Sequence, residues 1–275
     1  MISNVVGRAV RSIRRRALTL QGLMLTQSEK QRAGDAAHFW SESEQDETIQ
    51  GLSHWRGAGR YSDDRVWLAI GEEHLKQFET LQYLTKKGPI DSMIEWGPGG
   101  GSNAVAFSST VSKFYGVDIS QANLDECKRQ LSAAGFSGFH PVLVDPSDLS
   151  KVKSTCKSSI DPVDFFLSVA VFQHFPSKEF GLDVLSVARS QLKPDGIALI
   201  QTRYDDGTRR TRSKTANYRH NAIFFTSYGI EEFWDAAVAR GFKPLAVILV
   251  PGVCYAYYFL SCADIPATEP VDGKL

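Results

Sequence analysis

The chain has 275 residues, 43% of them apolar, with 31 lysines and arginines set against 31 aspartates and glutamates. This length and apolar share suit one large core, or one domain with an extension, and exclude disorder throughout. Balanced charge gives no whole-molecule field to draw in nucleic acid, so an RNA or DNA substrate is not expected. No apolar run reaches membrane-spanning length and the N-terminus lacks the apolar core of a secretory leader, so a cytoplasmic location is expected. Cys127, Cys156, Cys254 and Cys262 lack zinc-type spacing and read as reduced, structural thiols, with no metal site expected.

Near the N-terminus Val6, Val10, Ile13, Ala17, Leu20 and Met24 recur at helical spacing, among Arg8, Arg11, Arg14, Arg15 and Arg16. Such a basic amphipathic helix over 5–24 suits a cap on the domain, a contact with a second subunit of a homodimer, or peripheral contact with a membrane surface. From 27 to 50 the chain is polar and acidic and reads as a linker or loop surface. Trp55, Tyr61 and Trp67 then alternate with His54, Arg56 and Arg60, a composition that serves a ligand lid or plain packing. Leu75, Phe78, Leu81 and Leu84 follow as one face of a helix. The expected organisation is an N-terminal helical extension or lid over 1–84, a main domain over 85–263 with an insert at 204–225, and a tail over 264–275.

The most informative stretch is MIEWGPGGGSNAVAF, Met93 to Phe107, in which an apolar run ends in an acid and then glycines lead into a helix-forming segment. Glu95 can accept hydrogen bonds, the glycines permit close approach of a ligand to the backbone, and Ser102 or Asn103 can cap the helix. The dinucleotide fingerprint G-x-G-x-x-G/A started at Gly97 finds Gly99 and then fails at Ser102. The pattern E-x-G-x-G-x-G is met at every position by Glu95, Gly97, Gly99 and Gly101. It is the first motif of the class I S-adenosylmethionine-dependent methyltransferases, which this chain resembles.

The resemblance implies a Rossmann-like, mostly parallel seven-stranded sheet in a three-layer α/β sandwich, closed by an antiparallel C-terminal hairpin, with S-adenosylmethionine as cofactor. KFYGVDIS reads as a second strand ending at Asp118, which resembles the family's ribose-binding acid, with Ile119 beside it. A helix follows behind Ser120, spaced by Leu124, Cys127 and Leu131 and ended by Gly135. HPVLVDPSDL is a third strand ending at Asp145, where the family places an acid near the adenine amino group. Pro146 has no backbone N–H, so a donor to the ring must come from Ser147 or be absent. VDFFLSVAVFQHF is a buried fourth strand. In the family the loop after it faces the transferable methyl group, which directs attention to Ser168, Val171, Phe172, Gln173 and His174.

A helix capped by Ser177 follows, stopped by Lys193-Pro194-Asp195-Gly196. IALIQTRY is the fifth strand, Thr226 or Ser227 opens a helix, and KPLAVILV and CYAYYFLSC are strands joined at Pro251-Gly252. The cofactor is expected at Glu95, Gly97, Gly99, Gly101, Asp118, Ile119, Asp145 and Ser168. His174 is the candidate base, by its position and near-neutral titration, while FQHFP equally suits an imidazole that ties down its own loop. Phe172, Arg203, Tyr204 and His220 are candidate acceptor contacts. Arg203, Arg209, Arg210, Arg212, Lys214 and Arg219 in and beside the insert suggest an anionic small-molecule or glycan acceptor. The expected reaction is O-methylation of a hydroxyl. N-methylation, a non-catalytic methyltransferase-like partner subunit and a nicotinamide-dependent oxidoreductase are the alternatives.

Overall fold

The computed structural model describes residues 26–264, so the basic 5–24 stretch and all but the first residue of the tail lie outside the described residues. Helix α1 (Glu29–Ser41) opens with a capping box in which Ser28 and Gln31 satisfy each other's backbone donors, and α2 (Glu47–Leu52) is capped by Asp46. These two helices correct the expectation of a linker over 27–50. Their polar residues face outward, while Ala36, Phe39, Trp40 and Ile49 pack on Tyr218, Ala222 and Phe225 from the insert. A mean composition over this stretch hides the buried stripe.

Helix α3 (Asp64–Thr85) covers one face of the sheet with Trp67, Gly71, His74, Phe78 and Leu81. Leu84, expected on that face, is 39% exposed. Strand β1 (Ser92–Trp96), helix α4 (Ser102–Phe107), β2 (Lys113–Asp118), α5 (Gln121–Ala133), β3 (Phe139–Leu143), α6 (Leu149–Ser159), β4 (Val163–Ser168), α7 (Lys178–Gln191) and β5 (Leu192–Arg203) alternate as right-handed crossovers require. After the short turn α8 (Tyr218–Asn221) come α9 (Ile230–Ala239), β6 (Lys243–Val250) and β7 (Tyr255–Ser261).

The sheet runs β3-β2-β1-β4-β5-β7-β6. Strands β1 to β5 pair in parallel, and β7 lies antiparallel between β5 and β6. Alternate residues of β1 divide between two cores: Ile94 and Trp96 join α6, α7 and α9, whereas Met93 joins α3, α4 and α5. A three-layer sandwich results, as expected. Strands β2 and β4 flank β1 on opposite sides, so chain direction diverges there and a crevice opens at the strands' carboxyl ends.

Two local expectations change. The Lys193–Gly196 turn sits inside the start of β5 as an irregularity, the register with β4 jumping from Val163↔Leu192 to Phe165↔Ile197. Helix α9 is opened by Gly229, whose N–H donates to Glu232 Oε2 at 2.8 Å. Thr226 and Ser227 are engaged elsewhere: the Thr226 N–H donates to the Gln173 carbonyl and the Ser227 N–H to Ser213 Oγ.

Candidate functional site

A cavity of about 910 Å³ of empty space, its open mouth included, lies at the carboxyl ends of β1, β2 and β4. Glu95, Gly97, Gly99, Asp118 and Ile119 line it, as do Ala170, Val171 and His174 after β4. Ala36, Trp40, Leu52, Ser53 and His54 from the N-terminal segment, with Tyr218 from the insert, form its far side.

Glu95 ends a chain of buried side chains. Asn103 Nδ2 donates to Glu95 Oε1 at 2.6 Å, and Asn103 Oδ1 lies 2.7 Å from His74 Nδ1. Because the Asn103 amide nitrogen is given to Glu95, its oxygen must receive, which puts the His74 proton on Nδ1. Glu95 is 1% exposed, its Oε2 has no partner, and burial pushes its carboxyl up to about 8. An unpartnered buried carboxylate oxygen in a cavity wall calls for a donor from a ligand, and an ammonium group supplies one. Asp118 Oδ1 accepts from the Ser120 N–H at 2.9 Å, and burial raises this carboxyl to about 6. Its place at the end of β2, facing the cavity, fits a pair of ribose hydroxyls. This donor and acceptor set therefore fits an adenosine cofactor carrying an amino acid.

The glycines serve a closer neighbour than a ligand. A Cβ on Gly99 would strike the Ser53 carbonyl and one on Gly100 the His54 carbonyl, while a Cβ on Gly97 would meet Val171. The Gly100 N–H donates to the Ser53 carbonyl at 2.7 Å, Trp67 Nε1 to the His54 carbonyl at 2.8 Å and Trp55 Nε1 to Asn123 Oδ1 at 2.9 Å. The N-terminal segment thus rests backbone-to-backbone on the glycine loop, which only residues without side chains allow. Gly101 has φ +82° and would set a Cβ 3.1 Å from Cys127 Cα; it caps α4 and does not line the cavity.

Other expected site residues also stand outside the lining. Asp145 is exposed and closes its own turn, accepting from Ser147 N at 2.9 Å and Ser147 Oγ at 2.7 Å. Those Ser147 bonds hold its carboxyl below the usual range and occupy the N–H that an adenine ring would use; Pro146 lines the cavity instead. Ser168 is fully buried, its hydroxyl donating to the Trp96 carbonyl at 3.1 Å. Phe172 packs against Phe175, Tyr228 and Phe233 in the core.

Arg203 is 3% exposed and donates to the carbonyls of Arg210 and Thr211 and to Ser227 Oγ, tying down the insert. The Tyr204 backbone bridges to Tyr228, and His220 is exposed. Arg209 and Arg212 are exposed, Arg210 donates to Cys254 Sγ at 3.3 Å, and Arg219 pairs with Glu42. The residues that sequence reasoning did not place in the site are Asn103, His74, Trp40, Tyr218 and the Ser53-His54 pair. Only the aromatic and histidine content of 54–67 signalled any of them.

A methyltransferase-domain family model matches residues 94–200, the span from β1 to β5 that builds the cavity floor. The chain carries a methyltransferase domain, of the S-adenosylmethionine-dependent class I type. This methyltransferase shares its fold with N-methyltransferase NodS from Bradyrhizobium japonicum WM9, solved with S-adenosyl-L-homocysteine (TM-score 0.51, 11% identity, covering 69% of this chain and 86% of that one). It is also similar to mitomycin 7-O-methyltransferase MmcR (TM-score 0.54, 13% identity, 82% of this chain and 60% of that one). The [4+2]-cyclase SpnF is a third neighbour (TM-score 0.51, 13% identity, 68% and 79%). No curated protein matches the chain. At such identities the likeness is one of fold, and the acceptor has to be argued from this chain's own residues.

Proposed function

We propose that this methyltransferase acts on the hydroxyl of a neutral, largely apolar small molecule, with an aromatic ring as the best-fitting scaffold. One observation carries the reading: among the described residues the cavity lining contains no lysine or arginine, and beside Glu95 and Asp118 it includes Ala36, Trp40, Leu52, Val171, Phe175 and Tyr218 with two imidazoles. Such walls favour flat apolar ligands, while the arginines that suggested an anion lie outside. The bound cofactor supplies an electrophilic methyl on a sulfonium, so the protein's part is alignment and exclusion of water.

In this reading the Glu95 carboxylate, oriented by Asn103 and His74, accepts from the cofactor's ammonium group. Asp118 accepts from its ribose, and Ile119 and Pro146 flank the adenine. Trp40 and Tyr218 hold the acceptor ring; their mutual hydrogen bond, Trp40 Nε1 to Tyr218 OH at 3.1 Å, and that from Tyr218 OH to the His174 carbonyl at 2.5 Å, keep this wall rigid. His174, whose ring lies 4.9 Å from Trp40, stands beside the acceptor hydroxyl.

The test has two stages. Calorimetry should detect binding of S-adenosylmethionine and S-adenosyl-L-homocysteine. Incubation with methyl-labelled cofactor and separate pools of phenols, amines and sugar phosphates should label the phenols. Labelling confined to amines would replace the hydroxyl by a nitrogen acceptor, and labelling of sugar phosphates would restore the anionic one.

A further inference from the structure

Two imidazoles line the cavity, and their hydrogen bonding differs. His174 Nδ1 lies 2.7 Å from the Ala222 carbonyl and therefore carries the proton. Its Nε2 faces Gln173 Nε2 at 3.3 Å, so both ring nitrogens are engaged within its own surroundings. His54 is the opposite case. Neither of its ring nitrogens has a hydrogen-bond partner among the described residues, and its only close ring neighbour is Tyr61, at 4.9 Å between centroids. Its backbone adopts the left-handed conformation, φ +59°, which a side chain of this size rarely takes.

That conformation is held on several sides. The carbonyls of Ser53 and His54 lie on Gly100 and Trp67, and Trp55 is anchored to Asn123 at the start of α5. A backbone kept in a costly conformation by so many contacts at a cavity wall points to a role for the side chain it aims.

Building on the hydroxyl-acceptor reading above, we propose that His54 is the base of this enzyme, the ring that removes the acceptor's proton, and that His174 holds the loop after β4. The acceptor oxygen bonds to the methyl carbon as that carbon's bond to sulfur breaks, with the electron pair remaining on sulfur. The hydroxyl proton passes to the free ring nitrogen of His54 and leaves to water once product departs. Burial keeps the ligand-free His54 ring neutral, at about 3, and the Arg60 guanidinium opposes a further positive charge there. During the reaction this opposition does not grow, because the charge that appears on the imidazole replaces the one lost at the sulfonium. The net charge of the closed site stays constant, and the carboxylates of Glu95 and Asp118 share the cavity with it.

Diethyl pyrocarbonate treatment of the ligand-free protein, with peptide mass spectrometry, should modify His54 before His174; the reverse order would overturn the assignment. Kinetics with labelled S-adenosylmethionine should use 2-naphthol and 4-nitrophenol as acceptors. His54→Asn, which tolerates the left-handed backbone, should bind S-adenosyl-L-homocysteine like the parent and lose roughly 10²-fold in kcat on 2-naphthol. It should retain most activity on 4-nitrophenol above that phenol's pKa, where no proton remains to be removed. His54→Gln serves as the second variant should His54→Asn fold poorly. A His54→Asn enzyme that methylates 2-naphthol at the parent rate, or that loses homocysteine-product binding, sinks the proposal. If the parent protein itself binds the cofactor and methylates neither phenol, the hydroxyl reading falls, and the role of His54 falls with it.

Discussion

Asp118 and Arg203 both close a parallel strand at the carboxyl edge of the sheet, and both are buried, yet only Asp118 faces the cavity. Around Asp118 the backbone N–H groups of Ser120, Gly99 and Ile119 and the Asn123 side chain favour the ionised carboxylate, which still lines the cavity. Around Arg203 the carbonyls of Arg210 and Thr211, the Ser227 hydroxyl and the Phe224 ring at 4.7 Å use the guanidinium within the chain. A strand end therefore delivers a charged group to the edge of the sheet, and the neighbours it meets there decide whether it binds a ligand or builds a loop.

The sharpest way to break this contrast is to delete each group. Asp118→Ala should weaken S-adenosyl-L-homocysteine by about 10- to 100-fold, as expected for losing charge-assisted hydrogen bonds of ~1.5–3 kcal/mol. Its melting temperature should change little, since burial disfavours the ionised carboxyl in the ligand-free fold and offsets the hydrogen bonds that are lost. Arg203→Ala should do the reverse, lowering the melting temperature and speeding proteolysis within 205–215 while leaving calorimetric affinity intact. Equal loss of binding in both would show that the insert helps to shape the cofactor site.

A second, smaller effect tests the acid side alone. Glu95 and Asp118 are raised by burial to about 8 and about 6, above the ordinary carboxylate range. The folded, ligand-free protein therefore holds protons that the unfolded chain releases, so these groups favour folding at low pH and lose that contribution as pH rises toward 8. Glu95→Gln should flatten this slope and raise the ligand-free melting temperature at alkaline pH by about 2–4 °C per kcal/mol recovered. Cofactor affinity in the parent should rise over the same interval, because the ionised carboxylates are the binding forms. A parent protein most stable at alkaline pH would contradict the burial of Glu95.

The smallest expected effect is none. Replacing Arg209 and Arg210 together by alanine should leave the KM for 2-naphthol and its salt dependence unchanged, because both side chains are exposed and neither lines the cavity. A higher KM mimicked by added salt would return the insert to the acceptor site.

Much of the fold is legible in the residues, because strand and helix periods, caps and glycine punctuation are local properties. Glu95, the glycine pattern and Asp118 stand at the ends of successive strands, and in a parallel sheet consecutive strand ends gather at one edge. The sequence alone thus determined the seven-stranded sheet, its closing hairpin, the class of cofactor and the edge where the site lies. The tertiary structure decided what local pattern cannot express. It set the N-terminal segment on Gly99 and Gly100, joined His74 to Glu95 through Asn103, turned Asp145 onto Ser147 and drew Arg203 into its own insert. It also left the His54 ring nitrogens without partners among the described residues, beside the cavity, while engaging both of those on His174. Each of these depends on a partner distant in sequence or on competition among nearby hydrogen-bond groups, and that competition is resolved only when the backbone is in place.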